Sequence, residues 1–113
     1  MQTQIRQNGK SFICAVTGDV DMYSAPTLHK TWLDHAAIHA QSPFIIDLAQ
    51  TEYLDSSGIG VFVQIFADAR TRKTPFFICH VRGMAEKLMH LSRMGSILPI
   101  EKTLADAMTK IGA

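Results

Sequence analysis

Asp55-Ser56-Ser57-Gly58 brings a carboxylate, two hydroxyls and a flexible backbone together at one point of the chain. The run follows a short apolar stretch, Phe44 to Leu48, of the length and composition of a buried strand. After it, apolar residues resume at helical spacing: Ile59, Phe62, Val63 and Phe66 keep the i, i+3, i+4, i+7 pattern, widened by Val61 and Ile65. The polar run therefore falls where a helix begins. Unpaired backbone N–H groups and the positive end of the helix dipole meet there, so added negative charge is tolerated. A serine hydroxyl at such a place suits reversible phosphorylation. Helix capping is the ordinary role of Asp and Ser at this position, and the two roles are compatible.

Other groupings point to chemistry less well. Asp19 and Asp21 form a carboxylate pair, but nothing nearby completes an acid–base or cation site, and a solvated loop with one partner-contacting aspartate is expected. Gly58 and Gly60 lack the further glycines and lysine of a phosphate-cradling loop, so close packing of the helix start is expected instead. His35 and His39 have the i, i+4 spacing of zinc ligands. Ala36 stands where a metalloprotease carries its glutamate, no third ligand follows, and the pair is expected on a solvated helix flank. His29, His80 and His90 are expected to be structural. A serine hydrolase would need a nucleophile elbow of G-x-S-x-G type and a histidine at the same edge; the chain supplies neither. No enzyme activity, metal or cofactor is expected.

These residues need a scaffold. At 113 residues, 47% hydrophobic and 19% charged, the chain suits a single globular domain over residues 1–113. Eleven Lys and Arg against ten Asp and Glu give no bulk field to recruit nucleic acid or anionic lipid. The start, Met1 to Arg6, is not signal-like, and no apolar run reaches transmembrane length, which leads to expecting a cytoplasmic protein without membrane insertion. Cys14 and Cys79 sit inside apolar runs and are expected as buried thiols.

The element order is two strands (Gln2 to Arg6 and Ser11 to Thr17, turning at Asn8-Gly9), then alternating helices and strands. A first helix is expected from Ser24 to Ala40, with Leu28, Trp32, Ala36 and Ala40 facing inward, and a second from Ser56 to Arg72. A strand from Pro75 to Val81 precedes a third helix, Met84 to Met94, capped by Gly95. A short strand within Ile97 to Ile100 and a helix from Leu104 to Ile111 close the chain. This is an α/β sandwich with a mixed four- to five-stranded sheet and about four helices. Right-handed crossovers make the second, third and fourth strands parallel. Their carboxyl-end loops (18–23, 49–58 and 82–84) then gather Asp19, Asp21, Tyr23, Asp55, Ser56, Ser57 and Arg82 at one sheet edge. Tyr23 either meets a partner there or packs over the first helix.

Three ordered landmarks carry a family likeness. Gly18-Asp19-Val20-Asp21 with Ala25-Pro26-Thr27-Leu28, then Asp47-Leu48 with Tyr53-Leu54-Asp55-Ser56-Ser57-Gly58-Ile59-Gly60-Val61, then Leu88, Leu91, Gly95 and Thr103-Leu104-Ala105 together resemble a STAS domain over essentially the whole chain. Among STAS domains the chain is most similar to bacterial anti-sigma factor antagonists. That resemblance implies a partner-switching regulator of transcription: the unmodified form binds an anti-sigma factor that is also a serine kinase, and so frees a sigma factor. Phosphorylation ends the binding and a phosphatase restores it. By the same resemblance the modified residue is Ser56, with Ser57 as the neighbouring candidate. Partner contacts then fall to Asp19, Asp21, Tyr23, Leu54, Asp55, Ser57, Gly58 and Arg82. The alternative within the family is a scaffold subunit of a lipid-transport ATPase or a signalling complex.

Overall fold

In the computed structural model, which describes residues 1–112, one five-stranded sheet has the spatial order β1-β2-β3-β4-β5. The elements follow as β1 (Gln2–Asn8), β2 (Ser11–Thr17), α1 (Ala25–Ile38), β3 (Phe44–Gln50), α2 (Ser56–Thr71), β4 (Phe76–Cys79), α3 (Gly83–Leu91), a 3-10 turn (Met94–Ser96), β5 (Ile100–Glu101) and α4 (Leu104–Ile111). Only β1 runs antiparallel to its neighbour; β2, β3, β4 and β5 pair in parallel. The mixed sheet and the parallel central strands are as expected.

Alternation sorts the strand side chains between two cores. Phe12, Cys14 and Val16 of β2 join Phe44, Ile46 and Leu48 of β3 beneath α1 and α2. Ile13 and Ile45 point the other way and meet Ala107, Leu104 and Met108 of α4. Covered on both faces, these strands have no fully solvated side and so appear as largely apolar runs, interrupted in β3 by Asp47. Trp32 anchors α1: its ring meets Phe44 edge-on at 5.1 Å, and its indole N–H donates to Asp68 of α2 at 2.7 Å.

Several boundaries differ from expectation for local reasons. Gly9, at φ 62°, and Lys10 form the first turn, so Asn8 ends β1 instead of turning the chain. Helix α1 stops at Ile38, which leaves Ala40 exposed and outside the inward stripe. His35 takes that place, only 8% exposed, packed at 4.6 Å on Phe12 and 4.8 Å on Phe44; it is no solvated flank. Helix α3 ends at Leu91, and the left-handed residue after it is Arg93 (φ 62°), with Gly95 inside the 3-10 turn instead of acting as a cap. That turn displaces the last strand to Ile100–Glu101. Strand β4 is shorter than expected, because His80 adopts φ 59° and leaves the ladder. Among the described residues no helix is long and apolar enough to cross a membrane.

Candidate functional site

Backbone hydrogen bonds stitch the carboxyl-end loops into one surface. Val20 and Leu54 form an isolated parallel bridge, in which Val20 N–H donates to the Tyr53 carbonyl and Asp55 N–H to the Val20 carbonyl. The third loop joins through Arg82, whose Nε donates to the Ala49 carbonyl at 2.6 Å, and through Ala85 N–H, which donates to the Glu52 carbonyl at 2.9 Å. Residues distant in sequence thus converge at the edge where the parallel strands end.

Asp55 organises the centre of this surface. It caps α2 by accepting Gly58 N–H on Oδ1 at 3.0 Å, and it accepts Met22 N–H on Oδ2 at 3.1 Å. Both carboxylate oxygens are engaged, so Asp55 binds the first loop to the helix start. The Asp55 N–H goes to Val20 and the Gly58 N–H to the cap, which leaves the Ser56 and Ser57 N–H groups as the helix-start donors without an intrahelical partner. Ser56 is exposed and Ser57 is half-buried.

The two hydroxyls open onto different hollows. Ser56 borders one of about 300 Å³ with Tyr53, Asp55, Met84 and Leu88, floored by Leu54. Ser57 borders another of about 510 Å³ with Met22, Pro26, His29 and Gln64. Asp19, Asp21 and Tyr23 line a third, beside Ser24 and Thr27. Asp21 accepts the N–H groups of Tyr23 and Ser24, both at 3.0 Å, and these bonds, that from Ser24 foremost, hold its carboxyl below the usual carboxylate range. It shapes the turn into α1 and does not line the Ser56 hollow.

Leu54 and Gly58 lie under the surface. Leu54 is 1% exposed. A Cβ on Gly58 would stand 2.5 Å from the Val20 carbonyl oxygen and 3.0 Å from Leu54 Cβ, so glycine is required by the close approach of helix and loop. The residues that do project are Met22, Tyr23, Tyr53 and Met84, with Tyr23 84% exposed and not packed over α1. The sequence does not single out Met22 or Tyr53. The near-helical spacing of Met84, Met89 and Met94 leads to expecting core filling, which Met84 at 59% exposure does not do, since only exposure distinguishes a protruding apolar residue from a core one. Met84 begins an apolar row with Leu88 and Leu91 at helical spacing, so the rim of the Ser56 hollow continues along α3.

A second polar cluster lies on the opposite side of the sheet, under α4. Asp47, Cys79 and His80 bring one potential ligand atom each within 4.8 Å of one another. His80 Nδ1 is 2.9 Å from Asp47 Oδ1, and Leu104 N–H donates to Nε2 at 3.4 Å. These bonds assign the ring proton to Nδ1, so neither nitrogen offers a free lone pair. Burial, aided by the Asp47 carboxylate, pushes the Cys79 thiol up to about 12. The cluster is a hydrogen-bond latch between β3, β4 and α4. Cys14 is also buried, its thiol likewise pushed up to about 12.

Comparison with known proteins places this architecture. The STAS domain profile matches residues 2–107. The chain belongs to the STAS domain family. This STAS domain is 29% identical over 86 residues to the anti-sigma-B factor antagonist of Listeria monocytogenes, which spans 76% of this chain and 75% of that protein. Against the anti-sigma-B factor antagonist of Bacillus subtilis, identity is 33% over 66 residues, or 58% of this chain and 59% of that one. The crystal structure of an anti-sigma factor antagonist from Mycobacterium paratuberculosis superposes with a TM-score of 0.83 at 26% identity, covering 99% of this chain and 94% of that one.

Proposed function

We propose that this STAS domain is an anti-sigma factor antagonist of the cytoplasm, switched by phosphorylation of Ser56. The names of its relatives support the class of function. One structural observation carries the switch: Ser56 is exposed at a helix start where its own amide and that of Ser57 have no partner among the described residues, within a hollow rimmed by the exposed side chains of Tyr53 and Met84.

The partner is an anti-sigma factor with serine kinase activity. Ser56 Oγ attacks the γ-phosphorus of the kinase's ATP; the new O–P bond forms as the bond to ADP breaks, and the hydroxyl proton leaves. The product carries about −1.5 to −2 charge at neutral pH. The Ser56 and Ser57 amides and the helix dipole accommodate that charge, so the fold persists. The bound partner is affected differently. A surface fitted to a neutral hydroxyl among apolar groups would have to bury a dianion beside the Asp55 carboxylate, at the cost of desolvation and like-charge repulsion. Association is lost and structure kept. A phosphatase hydrolyses the ester and restores binding.

The test is a pair of variants assayed for binding to the cognate anti-sigma factor. Ser56→Ala is expected to bind but to resist modification, and Ser56→Asp to bind more weakly with the fold intact. Stoichiometric phosphorylation of Ser56→Ala would move the switch to Ser57.

A further inference from the structure

We propose that β1 is a homodimerisation edge, on which a second copy of this chain pairs antiparallel about Ile5 and joins the two sheets into one. This is independent of the role of Ser56, because the β1 edge runs along the side of the sheet whereas the candidate site lies at the strand ends.

Strand β1 is a full-length outer strand with an open side. Its seven residues pair with β2 in unbroken register from Gln2–Thr17 to Asn8–Ser11, and nearly all of them are exposed. Apart from the single charge of Arg6, protective devices are missing from it: it has no proline, no lysine and no register shift, and it is not short. Hairpin geometry fixes which backbone groups point outward. A two-residue turn makes Asn8 and Ser11 a hydrogen-bonded pair, and strict alternation then turns the N–H and C=O groups of Thr3, Ile5 and Gln7 away from β2. Among the described residues they form a regular row of unpaired donors and acceptors.

The side chains select the occupant. Gln2-Thr3-Gln4-Ile5-Arg6-Gln7-Asn8 is close to a palindrome in polarity. Pairing two copies about Ile5 sets Gln2 against Asn8, Thr3 against Gln7 and Gln4 against Arg6. Ile5, the strand's one apolar residue, then faces its own copy. Arg6, its one charge, meets a neutral amide, so no like charges stand directly opposite. Ile5 is 38% exposed on the helix-covered face of the sheet, opposite Cys14, and pairing would cover it. A two-fold interface is isologous, and this strand meets that self-complementarity requirement.

Sedimentation of the whole chain from micromolar to millimolar concentration tests the proposal, and a reversible monomer–dimer equilibrium is expected. Ile5→Pro removes an outward N–H without touching the β2 ladder, and Ile5→Lys sets two charges face to face. Each should raise the dimer dissociation constant about tenfold or more, with the circular dichroism spectrum unchanged for Ile5→Lys even if Ile5→Pro disturbs the strand. Ile5→Cys should oxidise to a covalent dimer, since paired Cα atoms about 5.5 Å apart suit a disulfide, and Gln4→Cys should not. A chain monomeric throughout the range, a dimer indifferent to Ile5→Lys, or equal cross-linking at both cysteine positions would overturn the proposal, as would an edge occupied only by a different protein.

Discussion

Ser56 and Ser57 are adjacent on α2 and alike in chemistry, yet the fold treats them differently. Ser56 is exposed and borders the hollow shared with Tyr53, Met84 and Leu88. Ser57 is half-buried and borders the hollow next to Met22, Pro26 and His29 at the start of α1. Successive helical residues diverge by about 100°, so a single step carries the hydroxyl from the α3 side to the α1 side. The helix start that carries both rests on one floor of Val20 and Leu54, closely approached at Gly58, and the Asp55 carboxylate ties it to the first loop at Met22. The pair shows how one helix start separates a residue open to solvent from one set toward its own scaffold.

The largest effect should come from disturbing the shared floor. Gly58→Ala places a methyl 2.5 Å from the Val20 carbonyl oxygen, a backbone atom held by its own hydrogen bond. Denaturant unfolding should show a loss of about 3 kcal/mol, with both hollows disrupted together. Asp55→Ala removes the α2 cap and the link to Met22 N–H. A loss of about 2 kcal/mol is expected in the same assay. Both variants break the comparison, since neither serine keeps its setting.

Charge at the two hydroxyls sharpens it. Ser56→Asp should weaken partner affinity about tenfold, equivalent to about 1.4 kcal/mol, as read by calorimetric titration with the anti-sigma factor. Ser57→Asp should change affinity much less, and thermal melts should show a gain of about 0.5 kcal/mol from the helix dipole. Equal losses in the two variants would mean that the hollows do not divide the roles.

A smaller effect, away from the edge, concerns pH. Burial first, and the neighbouring His39 second, hold the His35 ring below the ordinary imidazole range. The unfolded chain therefore takes up that proton more readily, and stability present above the ordinary histidine value declines as pH falls through it. His35 Nε2 is also buried without a hydrogen-bond partner among the described residues. Thermal melts from neutral pH to about pH 5 should show His35→Leu losing less stability than the parent chain.

Local pattern made much of this legible. The α2 start followed from a capping aspartate ahead of helically spaced apolar residues, and the parallel order of β2, β3 and β4 from alternating elements. Tertiary contacts were hidden. Leu54 and Gly58 belong to the same motif as Ser56, and only the bridge to Val20, distant in sequence, puts them beneath the surface. His35 looked solvated because its packing surface comes from Phe12 and Phe44 on two strands. The close of α3 was misplaced for a related reason. A glycine usually ends such a helix, but here Arg93 takes the left-handed turn two residues before Gly95.

The central claim is that one exposed hydroxyl over the α2 start governs docking. Its most direct test is to phosphorylate the chain with its cognate kinase, map the phosphate by mass spectrometry, and measure partner affinity before and after. A single phosphate on Ser56 with at least tenfold weaker binding and an intact fold is the predicted result. A phosphate at Ser56 that leaves affinity unchanged would contradict it.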